Sequence, residues 1–184
     1  MAGLAAAARW LLAAATLATA PPAAAPPDVN ALVAAARERH LAATRDWQVL
    51  LHYRRTLGGG GWKSEADGLG FFLSGSAGKH DPEAELAATL RAFFAPGPLD
   101  DGHAQCRFPA RWDWLRHALG IDAARAPHPT CRDFDFWRTG MSAQAATLVY
   151  ATAYINSPAS MYGHTFLRLS RATGEGNPLL DYIV

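Results

Sequence analysis

A chain of 184 residues, 50% hydrophobic and 10% aromatic, is long enough to bury the core of one domain. Its formal net charge of +1 excludes the basic surplus that nucleic-acid-binding proteins carry, so we expect no nucleic-acid partner. The composition therefore predicts a globular protein whose partners are not selected by net charge.

The first 25 residues are predicted to be a secretory signal peptide. One cation, Arg9, precedes the apolar run Trp10–Ala20, and small residues follow at 18–20 and 23–25, where a signal peptidase would cleave. The apolar run is shorter than the ~20 residues that a membrane-spanning helix needs. An uncleaved N-terminal anchor and an alanine-rich disordered tail are the alternatives. We therefore expect the chain to be exported.

Residues 26–145 are predicted to form a mainly helical region. Apolar residues recur at helical spacing over 30–44, where Asn30 is the candidate cap. Residues 46–57 carry apolar residues at strand-like spacing and end in the glycine run 58–61. Because no Lys-Ser/Thr pair follows these glycines at Walker spacing, the run indicates a turn and not a phosphate-binding loop.

The second half of this region contains better-marked helices. Asp81 and Pro82 predict a helix start, with Glu83 and Glu85 near the positive end of the helix dipole and a buried apolar stripe over 86–94. The segment 67–75 is expected to be a short strand or a buried loop. Two shorter helices are expected over 112–119, ended by Gly120, and through Phe134 and Trp137.

Two His-x-x-Cys pairs precede those shorter helices. His103 with Cys106 and His128 with Cys131 match the spacing of a four-ligand zinc site, because Zn²⁺ prefers sulfur and nitrogen ligands in close pairs. Export to an oxidising compartment favours a Cys106–Cys131 disulfide instead. Closing this 25-residue loop would contribute about 3 to 4 kcal/mol in the chain-entropy account. A free nucleophilic thiol at Cys106 is a third alternative.

Residues 146–184 are predicted to start an antiparallel sheet. The segment reads as a strand, a polar loop broken by Pro158, and a second strand that begins at His164. Alternation places His164, Phe166 and Arg168 on one face, with the imidazole and guanidinium groups roughly 13 Å apart along the strand. That spacing suits two groups that line one cleft.

This face carries the candidate chemistry. An acyl-transfer site needs a nucleophile, a base and donors for an oxyanion. His164 is the candidate base, Gly163 allows a close approach beside it, and Arg168 is the candidate binder of a carboxylate, phosphate or oxyanion. The candidate nucleophiles are Ser160, Ser157, Thr152 and Cys106. Asp181 is a candidate for the carboxylate that orients the base.

The segment Ser157–Leu169, together with Cys106–Arg111 and the signal peptide, resembles the Lnb N-terminal periplasmic domain family, which is related to bacterial lipoprotein N-acyltransferases. The resemblance implies a periplasmic envelope protein, a papain-like or NlpC/P60-like fold, and acyl transfer by a thiol in some members. His164 matches the family histidine and Arg168 the arginine that follows it. A thiol shortly upstream of that histidine has no counterpart here, where Thr152 stands in about its place.

These observations predict an α+β fold with a helical N-terminal half packed on an antiparallel sheet. The last residues, 179–184, predict a strand that continues beyond the sequence, so we expect the chain to be a fragment. The leading hypothesis is an acyltransferase- or hydrolase-like domain that acts on lipoprotein or lipid-linked envelope substrates without a cofactor, with membrane contact through the missing C-terminal region. The alternative is a non-catalytic binding or scaffold module that uses the same cleft.

Overall fold

A computed structural model describes most of the chain. The described residues are 25–68, 70–141, 143–151, 163–171 and 182–183. The predicted signal peptide falls almost wholly outside them. The six α-helices of the described residues are α1 Val29–Glu38, α2 Arg45–Leu50, α3 Pro82–Phe93, α4 Ala104–Arg107, α5 Pro109–Leu119 and α6 Arg132–Met141.

The strands form two antiparallel sheets. They are β1 Tyr53–Arg55, β2 Trp62–Ser64, β3 Ala143–Ala151, β4 His164–Arg171 and β5 Tyr182–Ile183. Strands β1 and β2 form a hairpin, and the second sheet has the order β3-β4-β5. The predicted α+β class is confirmed.

The first helix is shorter than the sequence indicates. Its N-cap is Asp28 and not Asn30, because the Asp28 carboxylate accepts a hydrogen bond from the Asn30 backbone at 2.9 Å. The chain leaves helical geometry at His40, whose φ is +51°, and continues as a 3₁₀ turn, Leu41–Ala43.

The segment predicted as a strand over 46–57 begins with a helix. Thr44 caps α2, and the side chain of Trp47 within it is fully buried. The indole Nε1 donates to the Pro82 carbonyl at 3.0 Å, and the ring stacks on Trp114 at 5.6 Å. Tertiary packing of this tryptophan therefore outweighs the strand-like spacing of its neighbours.

The glycine run is the turn that the sequence predicts. Residues 58–61 connect β1 to β2, whose register pairs Tyr53 with Ser64 and Arg55 with Trp62. Gly58 and Gly59 have φ values of +98° and +75°, which glycine adopts without the clash that a Cβ would cause.

Helices α3 and α5 follow the predicted signals. Asp81 accepts hydrogen bonds from the backbone of Glu83 and Ala84, and Gly120 ends α5 at φ +64°. The segment 67–75, predicted as a strand or buried loop, contains turns in its described residues and leads into a 3₁₀ helix, Gly75–Lys79.

The hydrophobic core lies among α1, α2, α3, α5 and the hairpin. Its fully buried members include Trp47, Leu51, Leu90, Phe93 and Leu115. We call these elements, together with α4 and the loops between them, the helical body. None of the core residues in the described ranges comes from β3 or β4.

Candidate functional site

Strand β4 carries the candidate base and the candidate anion binder. The strand begins at His164, as the sequence predicts, while β3 begins at Ala143, three residues before the predicted start. Across the β3–β4 ladder His164 lies opposite Ala151, and Arg168 lies opposite Thr147. Because directly paired residues share a face, these positions define one surface of the sheet, which we call the histidine face.

Arg168 occupies the middle of this sheet. Its neighbours in register are Thr147 on β3 and Ile183 on β5. The guanidinium Nε is buried and the side chain as a whole is half-buried. A cation fixed at this depth interacts more strongly with an anion than an exposed one, because less water screens the pair.

Glycine is required at position 163, directly before β4. Its φ is +85°, and a Cβ at this position would overlap the phenol ring of Tyr150. The sequence suggested a close approach of backbone or substrate to this glycine, and in the structure the approaching group is Tyr150. Its position, diagonal to Gly163 across the ladder, follows only once the register is known, so sequence reasoning missed it.

The remaining candidates on the loop and the last strand are not described. Ser157, Ser160, Thr152 and Asp181 lie outside the described residues. Their roles as nucleophile or orienting carboxylate stay predictions.

The predicted disulfide is confirmed. Cys106 and Cys131 are bonded, with Cα atoms 5.1 Å apart, so Cys106 has no free thiol and the interpretation of this residue as a nucleophile is wrong. The bond ties α4 to the start of α6, and so links the helical body to the segment that leads into β3.

The zinc alternative loses its thiolate ligands to this bond. A zinc site built on His103, Cys106, His128 and Cys131 needs two free thiolates. Among the described residues, no group of three or more histidine, cysteine or acidic side chains is arranged to hold a metal.

His103 has a structural role at the start of α4. Its Nδ1 accepts a hydrogen bond from the Gln105 backbone at 3.3 Å, which caps the helix. Nε2 is buried without a hydrogen-bond partner among the described residues. Burial lowers the pKa of His103, against a smaller opposing effect from Asp100. The neutral imidazole is therefore the form that the fold favours.

A buried ion pair in the helical body was not foreseen. Glu85, expected to serve only the helix dipole, is fully buried and accepts a hydrogen bond from Arg111 at 2.9 Å. The same carboxylate accepts hydrogen bonds from the backbone of Leu73 and Ser74 and from the Ser74 hydroxyl. It thereby fixes the loop before the Gly75–Lys79 turn.

Arg111 completes this network from the other side. It donates to the Phe71 carbonyl at 2.8 Å, and its guanidinium lies 4.2 Å from the Phe108 ring centroid. Burial lowers the pKa of Arg111, while Glu85 opposes that shift. Tyr53 donates to the Gly78 carbonyl, and burial together with Glu85 raises the pKa of its phenol. The network is a structural brace.

The opposite face of the β3–β4 ladder is apolar and open. Leu148 is 73% exposed and Tyr150 65% exposed, and Leu167 beside them is 38% exposed. The half-buried side chains of Val149, Phe166 and Arg168 lie on the histidine face. The two faces of this sheet therefore differ in chemistry: one combines a histidine and an arginine position, and the other presents hydrocarbon and aromatic surface.

The fold and the site together define an α+β domain in which a disulfide-tied helical body precedes a small sheet with a Gly-His-Thr-x-x-Arg strand. Residues 133–184 match the model of the Lnb N-terminal periplasmic domain, which confirms the family resemblance and supports a periplasmic location. Residues 39–118 match a second family model, Domain of unknown function (DUF7843). The Cys106–Arg111 segment, which the sequence analysis assigned to the Lnb resemblance, falls in this second match.

No curated protein and no solved structure shows significant similarity to the chain. Among the described residues, no helix combines the length and the apolar character that crossing a bilayer requires.

Proposed function

We propose that the chain is the periplasmic domain of an Lnb-type protein that transfers or hydrolyses an acyl group on lipoprotein or lipid-linked envelope substrates after export by its N-terminal signal peptide. The observation that carries the proposal is the strand β4, which begins at His164 behind the positive-φ Gly163 and places Arg168 on the same face. This strand lies within the segment that matches the Lnb domain.

In this proposal the two residues have different roles. His164 acts as general base: it accepts the proton of the attacking group and returns it to the leaving group as the acyl bond breaks. Arg168 binds the negative charge of the donor or of the tetrahedral intermediate. Ser160 is the candidate nucleophile on the enzyme, because the Cys106 sulfur is bonded to Cys131.

A second candidate function is a binding or scaffold module on the same face. It is favoured by the absence of a free cysteine from the described residues, since a thiol is the nucleophile that the resemblance implies. In that case Arg168 would hold an anionic group of a lipid-linked partner, and no bond would be made or broken.

The test is acyl transfer by the full-length protein to a diacylated lipopeptide with a free amino terminus, followed by mass spectrometry of the peptide. His164→Ala should lower the rate at least about 100-fold, the usual contribution of a general base. His117→Ala is the matched control, because this histidine is exposed on α5 in the helical body, and it should leave the rate unchanged.

Binding of a fluorescent lipopeptide, measured in parallel, separates the two candidates. Loss of transfer in His164→Ala with retained binding supports the enzyme. Binding by the parent protein without any transfer supports the scaffold, and transfer at the parent rate in His164→Ala would rule out His164 as the base.

A further inference from the structure

The β1–β2 hairpin ends in a tip that carries one large apolar side chain and little else. Leu57 is fully exposed, with a relative accessibility of 106%. The next three residues are Gly58, Gly59 and Gly60, and a Cβ built on any of them would meet nothing within 4 Å. The leucine therefore projects from a narrow loop whose one polar side chain, Thr56, is half-buried and donates to the Gly61 carbonyl at 3.4 Å.

Cations surround the base of this tip. Arg54 and Lys63 lie directly opposite each other in the hairpin register, an arrangement of like charges that destabilises a strand pair. Arg54 is offset by Glu65 at 2.7 Å, and Lys79 pairs with Asp67. No salt bridge in the described part of the chain involves Arg55, the cation nearest the tip, or Lys63, which lies level with Arg54.

An aromatic residue lies at the same level. Trp62 is half-buried, and the Arg55 guanidinium lies 4.0 Å from its ring centroid. Tryptophan is enriched where a protein meets the headgroup region of a membrane, since its ring is apolar and its N–H is polar. Beside these residues is an open groove of about 480 Å³, lined by all four cations and by the two carboxylates, Glu65 and Asp67, that pair with two of them.

The base of the hairpin is firmly attached to the rest of the helical body. Tyr53 and Ser64 are buried at its base, where Tyr53 donates to the Gly78 carbonyl and Ser64 to the Leu51 carbonyl at 2.6 Å. The Glu65 backbone donates to His52 at 3.0 Å. The hairpin is therefore fixed at its base, so its exposed tip is held in a defined position relative to the rest of the body.

We propose that the β1–β2 hairpin is a peripheral docking element that binds an anionic phospholipid surface, with Leu57 entering the headgroup boundary and Arg55 and Lys63 contacting lipid phosphates. Charge complementarity selects this partner: within the part of the chain that the structure describes, Arg55 and Lys63 take part in no salt bridge, and the large side chain at the tip beyond them is apolar. The inference is independent of the proposed acyl chemistry, because none of its residues belongs to the β3–β4–β5 sheet that carries His164 and Arg168.

The test is co-sedimentation of the full chain with vesicles of phosphatidylcholine containing one-third phosphatidylglycerol. Leu57→Asp should lower the partition coefficient by about tenfold or more, as expected for loss of one buried aliphatic side chain. The double variant Arg55→Gln/Lys63→Gln should lower it about 25-fold, since each cation near an anionic surface contributes about fivefold. Binding by the parent chain should weaken as salt rises.

Matched controls lie elsewhere on the body. Leu99→Asp changes another exposed leucine, and Arg91→Gln removes an exposed cation from α3; both should partition like the parent. The apolar run at residues 10–20 is common to every variant, so it cannot produce a difference between them. Circular dichroism melts check that each variant is folded.

Three results would overturn the proposal. Hairpin variants that partition like the parent would remove the hairpin from membrane binding. Equal partition onto pure phosphatidylcholine would remove the role of lipid charge. Saturation of the site by inorganic phosphate, with no binding to anionic vesicles, would make it a site for a soluble anion instead.

Discussion

The helical body and the three-stranded sheet bury their side chains to very different degrees. In the body Trp47, Leu90 and Phe93 are completely buried, whereas Leu148 and Tyr150 in the sheet are mostly exposed. The two family matches divide the chain in the same way, at 39–118 and 133–184. We therefore expect substitutions in the core of the body to act mainly through the stability of the whole domain, and those in the sheet to act locally, on the β3–β4 strand pair and on the candidate site.

The strongest test of this division is the buried ion pair. Arg111→Ala leaves the Glu85 carboxylate buried without its cation, and breaking such a pair costs about 3 to 5 kcal/mol. We expect a loss of that size in the free energy of unfolding, measured by urea titration followed by tryptophan fluorescence. The loop at 71–79 should also become sensitive to protease, because Glu85 and Arg111 both hold its backbone.

The control for this variant is Arg116→Ala on the same helix. Arg116 pairs with the exposed Asp113 at 3.2 Å, and an exposed pair contributes at most about 1 kcal/mol. If Arg111→Ala were no more destabilising than this control, the network would not be the brace of the body.

The helix ends in the helical body could be predicted from the sequence because they depend on local signals. Asp81 with Pro82 and the terminal Gly120 mark their helix ends correctly, because a cap acts within one turn of the chain. Glu85 shows the limit of this reasoning. Its partner Arg111 is 26 residues away, and nothing near Glu85 in the sequence distinguishes a buried acid from a solvated one.

In the three-stranded sheet, a substitution at Gly163 tests the geometry of the β3–β4 strand pair. Gly163→Ala should force either the backbone or Tyr150 to move, because a Cβ here would overlap the phenol ring and φ is +85°. We expect a local loss of about 1 to 2 kcal/mol, the cost of a left-handed conformation for a residue with a Cβ. Amide hydrogen exchange in β3 and β4 measures it, since a local opening need not unfold the body.

A double variant separates the two causes of that loss. Tyr150→Ser in the Gly163→Ala background removes the overlap but leaves the backbone strain, so it should restore part of the protection. If Gly163→Ala left hydrogen exchange in β3 and β4 unchanged, the packing of Tyr150 on this glycine would not constrain the β3–β4 strand pair.

Part of the candidate site could also be predicted from the sequence, again because local patterns determine it. The alternation after His164 correctly gave the strand, and it fixes which residues share a face with Arg168. The Cys106–Cys131 bond followed from redox compartment and cysteine count. The contact between Tyr150 and Gly163 depends on the β3–β4 register, which the sequence of either strand alone does not specify.

The smallest effect concerns the capping histidine of α4. Burial lowers the pKa of His103 in the folded protein, whereas unfolding returns it to about 6.5. The unfolded chain therefore binds a proton that the folded chain does not, so stability falls as the pH drops below about 6.5 and levels off below the folded pKa.

His103→Asn keeps a cap acceptor and cannot titrate, so its stability should depend less steeply on pH in this window, by at most about 1.4 kcal/mol per pH unit. Urea unfolding at about pH 7 and about pH 5 measures the difference between the variant and the parent. If the free energy of unfolding changed equally with pH in His103→Asn and in the parent, His103 would take up no proton on unfolding. Burial in the helical body would then not lower its pKa.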